Sequence, residues 1–208
     1  MASLNRDQVV RRLVGPVAVA LLLEACSTQD QEISTLSTPS ADAQQAVLDW
    51  LASGDFSIDG LDEAQAADLT TLRYLKVKET DDHQCLAIEW HDEAGGYWSG
   101  ILGLSQSPDA RWDVDGGGWG SGPPPDFGID EPRAYLAGGW NDHFCLGSWV
   151  YDPTGTVAFA RLVSGDTVFA EDTVDNGVIV FLGAVLHGPG PMVELYDSEG
   201  RLVVRHEP

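Results

Sequence analysis

The sequence is poor in basic side chains. Its 208 residues include 11 lysines and arginines against 33 aspartates and glutamates, which gives a formal net charge of −22. Affinity for nucleic acids comes from lysine and arginine side chains that neutralise phosphates, so we expect no nucleic-acid partner. The same charge repels anionic lipid head groups, but screening at physiological salt limits this repulsion to about 8 Å.

The sequence also lacks the motifs of common catalytic and cofactor sites. Ser99 is followed by Gly100 but does not complete a G-x-S-x-G nucleophile elbow. The glycine-rich residues 116–122 end without the Lys-Ser/Thr of a phosphate loop, and no HExxH or CxxC spacing supplies zinc ligands. We therefore predict a protein without catalytic activity or cofactor. A hydrolase with an unrecognised pair of carboxylates stays an alternative, because so acidic a chain offers many pairs.

The N-terminal apolar run is too short to cross a membrane as a helix. Residues 13–23 carry no charge and follow Arg6, Arg11 and Arg12. A bilayer core of ~30 Å takes about 20 apolar helical residues. A shorter run behind a basic start is typical of a secretion signal. We therefore predict that residues 1–25 are a signal peptide.

The end of this signal resembles the lipobox of bacterial lipoproteins. Leu23-Glu24-Ala25-Cys26 has the order leucine, variable residue, small residue, cysteine, although Glu24 stands where the family usually has a small or apolar residue. The resemblance covers the first 26 residues. It implies that Cys26 receives a diacylglyceryl group and becomes the mature N-terminus, with two acyl chains as a stable anchor. Plain secretion and an uncleaved anchor are the alternatives.

Residues 26–40 are expected to form a flexible tether. They are rich in Ser, Thr and Gln and have little apolar surface to bury. Such a segment spans roughly 20 Å r.m.s., which is more than the screening length. Removal of residues 1–25 takes away three arginines and two acids, so 8 basic and 31 acidic side chains remain. The expected location is extracytoplasmic, with an acidic body held at the bacterial cell membrane by lipid.

The chain has only three cysteines. If Cys26 carries lipid, Cys85 and Cys145 remain as one pair. An oxidising compartment permits a disulfide between them. A closed loop of this length, about 60 residues, contributes on the order of 4 kcal/mol in the chain-entropy description. Two buried free thiols are the alternative.

The mature chain is predicted to be mainly β and to have two folded parts. We expect a small α+β domain over residues 41–122, a Pro/Gly linker over 123–132 and an antiparallel sandwich over 133–208. The glycines and prolines of residues 116–128 predict a loop without regular structure.

Two helices are expected in the first part. Apolar residues around Val47 recur at helical spacing, and Ser40 and Gly54 are suitable as the start and end of that helix. A second helix is expected over residues 61–75, because acidic residues lie in its first turn, where the helix dipole stabilises them.

The C-terminal part has the rhythm of a β-sandwich. Six short strands recur at spacings of about 10 residues, and Asn176-Gly177 is a strong hairpin signal. Residues 178–186 are apolar throughout and predict a central strand. In this rhythm and in the turns YDPTG and YDSEG, residues 143–208 are similar to immunoglobulin-like modules at the ends of bacterial surface proteins. The resemblance implies a sandwich but no particular activity.

Two of the seven tryptophans lie in glycine-rich segments. Trp119 in GGGWGSG and Trp140 in AGGWNDH are expected in loops, and these loops are the predicted binding surface. Exposed indole rings beside Asp and Asn could stack on sugars. The alternative is that both rings fill the seam between the two parts of the chain, because indole is a large apolar group with one donor.

One acidic cluster is a weak candidate for calcium. Asp113 and Asp115, followed by Gly116, offer carboxylate oxygens of the kind that calcium binds. However, Gly117 and Pro124 stand where an EF-hand loop has its third ligand and its bidentate glutamate. We favour solvated acidic side chains and predict no metal site.

These patterns together predict a lipid-anchored envelope protein that acts as a non-catalytic interaction or structural module. Its expected partners are the membrane, through the anchor, and an envelope protein or a glycan. The alternatives are a glycan-binding accessory protein that uses the loop tryptophans and an unrecognised secreted hydrolase.

Overall fold

The chain folds mainly as antiparallel β-structure, and the mainly-β prediction is confirmed. The computed structural model describes residues 33–36, 38–54, 66–122, 130–140, 143–184 and 190–206, without the side chain of Trp140. The predicted signal peptide, Cys26 and the tether up to residue 32 lie outside the described residues.

One helix and thirteen strands make up the described part of the chain. In chain order they are β1 (Ser34–Leu36), α1 (Ala41–Ser53), β2 (Ala67–Glu79), β3 (His83–Asp92), β4 (Tyr97–Gln106), β5 (Trp112–Ser121), β6 (Arg133–Ala134), β7 (Ala137–Trp140), β8 (His143–Tyr151), β9 (Phe159–Ser164), β10 (Thr167–Thr173), β11 (Val178–Ala184), β12 (Met192–Tyr196) and β13 (Leu202–His206).

Helix α1 begins and ends where the sequence predicts. The Ser40 hydroxyl accepts a hydrogen bond from the Ala43 amide and so satisfies one of the unpaired donors at the helix start. Gly54 ends the helix in the left-handed conformation, with φ of 70°. Val47 and Leu51 lie on the buried face of the helix, which packs on the first sheet.

The first sheet has the order β1-β2-β3-β4-β5. Because side chains alternate along a strand, its two faces carry different sets. Leu86, Ile88 and Trp90 of β3 point toward α1 and belong to the first core cluster. Cys85 and Ala87 point the other way and belong to a second cluster, shared with β8 and β11.

The middle sheet has β11-β8-β6, with β7 also paired to β8, and the third has β10-β9-β12-β13. Strand β11 is buried on both faces: Val178 and Val180 pack toward the first sheet, whereas Ile179 and Phe181 pack toward the third. The central strand expected over residues 178–186 is present up to Ala184. The result is a stack of one helix and three sheets.

The chain from Gln31 to Pro208 forms one compact unit. The division into two domains at residues 123–132 stays a prediction. Of that linker, residues 123–129 lie outside the described part.

The second predicted helix is wrong for residues 67–75. These residues belong to β2, which pairs with β3 through partners such as Tyr74 with Ile88. The stretch contains Thr70 and Thr71, and β-branched side chains lose rotamer freedom in a helix and favour strands. Pairing with β3 overrides the weak helical pattern; residues 61–65 are outside the described residues.

The loop predicted over residues 116–128 is wrong up to residue 121. Strand β5 continues to Ser121 and pairs with β4, with Gly117 opposite Leu102 and Trp119 opposite Gly100. Glycine has a role there, since a Cβ at Gly118 would lie 2.9 Å from the Gly138 amide nitrogen of β7. Glycine at residue 118 therefore permits the close packing of two strands.

Two shorter segments also bear on predictions. Residues 34–36, expected within the tether, form β1 and pair with β2 in the register Ser34 to Glu79. The turn predicted at Asn176-Gly177 is present, with φ of 52° and 72°, and Asp175 bridges to Val178 across it. The strands that it joins do not form the hairpin that the signal predicts, because β10 pairs with β9 and β11 pairs with β8 in another sheet.

The first and middle sheets approach closely at Gly147 of β8. A Cβ at this residue would lie 2.7 Å from Ile101 Cδ1 of β4 and 2.8 Å from the Ile179 carbonyl oxygen. Both distances are below those of ordinary contacts, so the sheet separation requires glycine here.

We expect Gly147→Ala to lower the free energy of unfolding by about 1–3 kcal/mol, because the added methyl group overpacks this contact. Gly120→Ala is the matched control, since no atom lies within 4 Å of its Cβ position. Urea denaturation of both variants measures the difference. Equal stabilities of the two variants would contradict the packing argument.

Candidate functional site

A disulfide joins the first sheet to the middle sheet. Cys85 of β3 and Cys145 of β8 are bonded, with 5.2 Å between their Cα atoms, and both are buried. This is the pair that the cysteine count favours. Gly103 of β4 packs beside it, because a Cβ there would lie 3.3 Å from Cys145 Cβ.

A buried ion-pair cluster joins β2 of the first sheet to β10 of the third sheet and to the turn that follows β10. The Lys76 Nζ atom of β2 lies 2.7 Å from a carboxylate oxygen of Asp172 and 2.7 Å from one of Asp175. Lys78 contacts the other Asp172 oxygen at 2.8 Å. Lys76 and Asp172 have only 2% and 1% of their side chains exposed, so the pair is held out of water.

Backbone contacts complete this lysine cluster of Lys76, Lys78, Asp172 and Asp175. The Val180 amide donates to Asp172 at 2.7 Å, and the Asn176 side-chain amide donates to the Leu75 carbonyl at 2.8 Å. Hydrogen bonds from Lys76 and then Thr173 lower the pKa of Asp175. The end of β10 and the turn that leads into β11 are therefore fixed against β2 by charged and neutral hydrogen bonds.

Trp119 packs against the core and is not in a loop. It lies in β5, is half-buried, and contacts Trp50 of α1 edge to face, with 5.1 Å between ring centroids. It also packs against the first core cluster. This position favours the interpretation of Trp119 as a packing residue.

Trp140 also lies in a strand, because it ends β7 and pairs with Phe144. Strands β5 and β7 run close together at Gly118 and Gly138. The described part of the chain does not include the Trp140 side chain, so a joint surface with Trp119 stays a prediction.

The two calcium candidates, Asp113 and Asp115, do not line the same depression of the surface. Asp113 is exposed and pairs with Arg111 at 3.1 Å, whereas Asp115 occupies a bulge between the pairs Val114–Leu104 and Gly116–Gly103. Within the residues placed by the structure, no group of three or more His, Cys, Asp or Glu side chains is arranged to hold a metal ion.

A cavity of about 240 Å³ lies beside the disulfide, and we call it the histidine cavity. The rings of His83 and His143 stack in its wall, with 3.7 Å between their centroids. Asp82 Oδ1 lies 2.8 Å from His83 Nδ1, and Ser105 is the partner of His83 across the β3–β4 ladder.

This arrangement has the residue types of a nucleophilic hydrolase site. It has a serine, a histidine and an aspartate, as in nucleophilic catalysis. In the described structure, however, no hydrogen bond joins the Ser105 hydroxyl to the His83 ring. No sequence pattern predicts the cavity, because its lining residues come from separate strands.

A second depression, the tryptophan groove, lies between α1 and the β4–β5 hairpin and has a volume of about 630 Å³. Trp50 and Trp112 form its aromatic walls, and both are half-buried. Its charged side chains are Arg111 and four aspartates, Asp42, Asp49, Asp109 and Asp113. The groove is not predicted from the sequence, although helical spacing places Trp50 beside the buried face of α1.

No family model, no curated protein and no solved structure matches this chain. Among the residues that the structure describes, no helix has the length and apolar character needed to cross a membrane.

We expect Lys76→Ala to lower the free energy of unfolding by about 3 kcal/mol, near the lower end for breaking a buried ion pair, because the buried Asp172 loses one of its two cationic partners and keeps Lys78. Arg73→Ala is the control: Arg73 pairs with Glu89 but is 71% exposed, and the loss there is at most about 1 kcal/mol. Urea denaturation at neutral pH compares the two. Similar losses for both variants would show that the lysine cluster does not stabilise the sheet contact.

Proposed function

We propose that this chain is an exported, lipid-anchored protein of the bacterial cell envelope that acts by binding and not by catalysis. The observation that carries the proposal is the buried disulfide between Cys85 and Cys145. Such bonds persist in oxidising compartments and are rare in the cytosol. The remaining cysteine, Cys26, stands at the lipobox position.

The proposed anchor places an acidic body near the membrane without drawing it onto the lipid surface. Two acyl chains on Cys26 hold a protein stably, while the net negative charge of the body opposes contact with anionic head groups. The folded part is then available to other envelope components.

The finer fold belongs to the same proposal. We assign residues 133–208 to an immunoglobulin-like sandwich and residues 41–122 to an α+β part. Two antiparallel sheets that face each other across the cluster of Leu146, Leu162 and Phe181 support the first assignment. The packing of α1 on the first sheet supports the second.

The packing of side chains favours a module over the two alternatives. Trp119 contacts Trp50 and the core, which weighs against its use as a sugar platform. Ser105 and His83 in the histidine cavity have the residue types of a nucleophilic hydrolase site. The Ser105 hydroxyl, however, lacks the hydrogen bond to histidine that would activate it.

We expect Cys26→Ser to move the protein from the membrane fraction to the soluble fraction of cells that export it, because the variant has no sulfur to acylate. Ser27→Ala is the control and should stay in the membrane fraction. Mass spectrometry of the N-terminal peptide of the unaltered chain should show a diacylglyceryl group. Membrane retention of Cys26→Ser would refute the anchor.

We expect no maleimide labelling of the exported protein when it is unfolded without reductant. No free thiol remains, because Cys85 and Cys145 are bonded and Cys26 is acylated. After reduction, two maleimides should add per chain, as measured by intact mass. Labelling of both cysteines before reduction would contradict the proposed oxidising location, whatever the outcome at Cys26.

A further inference from the structure

The tryptophan groove has a surplus of negative charge that the described side chains do not neutralise. Four aspartates line it, against the single cation of Arg111, so its formal charge is about −3 at neutral pH. Helix α1, which forms one wall, contains no lysine or arginine. Arg111 contacts Asp113, and no ion pair to Asp42 or Asp109 is found within the described ranges.

The aromatic walls of the groove are held in place from behind. Trp50 contacts Trp90 and Trp119 edge to face, with centroid distances of 6.3 and 5.1 Å. Trp112 and Val114 pack against the same core cluster. Because these contacts fix the indole rings before any ligand arrives, binding costs little side-chain ordering.

Fixed indole rings and a net negative charge together select one class of ligand. A cation over the face of a tryptophan is attracted by the ring quadrupole, and quaternary ammonium groups are recognised by aromatic cages. A neutral sugar could stack on the same rings but would gain nothing from the surplus charge. A lysine ammonium is compact and strongly hydrated, so its desolvation opposes contact with the indole rings.

We propose that the tryptophan groove binds a quaternary ammonium group, with Trp50 and Trp112 against its methyl groups and the aspartates as counter-charges. The charge complementarity of the groove and its volume of about 630 Å³, within the usual range for small-molecule sites, carry the inference. It rests on the proposed function only in giving the chain a binding role; it does not require the lipid anchor.

The test is calorimetric titration of the purified full-length chain with choline at constant ionic strength. The neutral isostere 3,3-dimethyl-1-butanol is titrated in parallel, because it has the same shape without the charge. We expect choline to bind at least tenfold more tightly than the isostere. Equal affinities would overturn the proposal, and so would tighter binding of lysine amide than of choline.

Variants separate the groove from the acidity of the whole chain. Trp112→Leu keeps every carboxylate and should weaken choline binding about tenfold through the lost ring. Asp113→Asn should weaken it severalfold. Glu131→Gln removes the same charge from an exposed residue outside the groove and should leave the affinity unchanged. Circular dichroism and thermal melts show whether each variant is folded.

The remaining outcomes all decide the question. If Glu131→Gln weakens binding as much as Asp113→Asn, the attraction is non-specific and the proposal fails. If a neutral chito-oligosaccharide binds, choline does not, and Trp112→Leu abolishes the sugar binding, the groove is a glycan site instead. Each result is independent of the fractionation of Cys26→Ser, so failure of this site and failure of the anchor are distinguishable.

Discussion

The packing of the first sheet on the middle sheet is the contact on which the rest of the structure depends. Three interactions bear on it. The Cys85–Cys145 disulfide and the close approach of Ile101 to Gly147 join the two sheets directly. The Lys76–Asp172 ion pair joins the first sheet to β10 of the third sheet, and Asp172 in turn accepts a hydrogen bond from the Val180 amide of the middle sheet. Each is of a different kind, covalent, electrostatic and steric. They fix separation and register together, because the disulfide and ion pair join residues far apart in sequence while the glycine sets the distance between the sheets.

This contact determines where binding surfaces can form. The middle sheet is covered on both faces, so residues such as Val180 and Phe181 of β11 are committed to packing. The histidine cavity lies between the first and middle sheets, beside Cys145. The helix-bearing face of the first sheet is free to form the tryptophan groove, since α1 covers only part of it. The two depressions therefore lie on opposite faces of the first sheet.

Much of this fold follows from local sequence patterns, but the surfaces do not. The cap at Ser40, the turn at Asn176-Gly177 and the buried β11 are each specified within a few residues, and sequence reasoning identifies them. The sequence predicts a loop at residues 116–121 because glycine has a low strand propensity. In the fold, the close approach of the distant strand β7 requires glycine at residue 118. Lys76 gives no local sign that it is buried, since its partners lie about 100 residues away. The groove combines a helix with a hairpin, so no single segment encodes it.

The way the basic side chains are used limits what the protein can bind. The chain after residue 26 has eight lysines and arginines. Within the described ranges, seven of them form ion pairs with acidic side chains, and the eighth, Arg133, donates to the Tyr135 hydroxyl. The positive charges are thus paired within the chain, and the surface keeps the excess of carboxylates. An anionic partner would meet repulsion over most of this surface, whereas a cation gains wherever carboxylates converge. A group of carboxylates alone attracts any cation weakly. The indole rings of Trp50 and Trp112 give the tryptophan groove the shape to prefer a methylated cation.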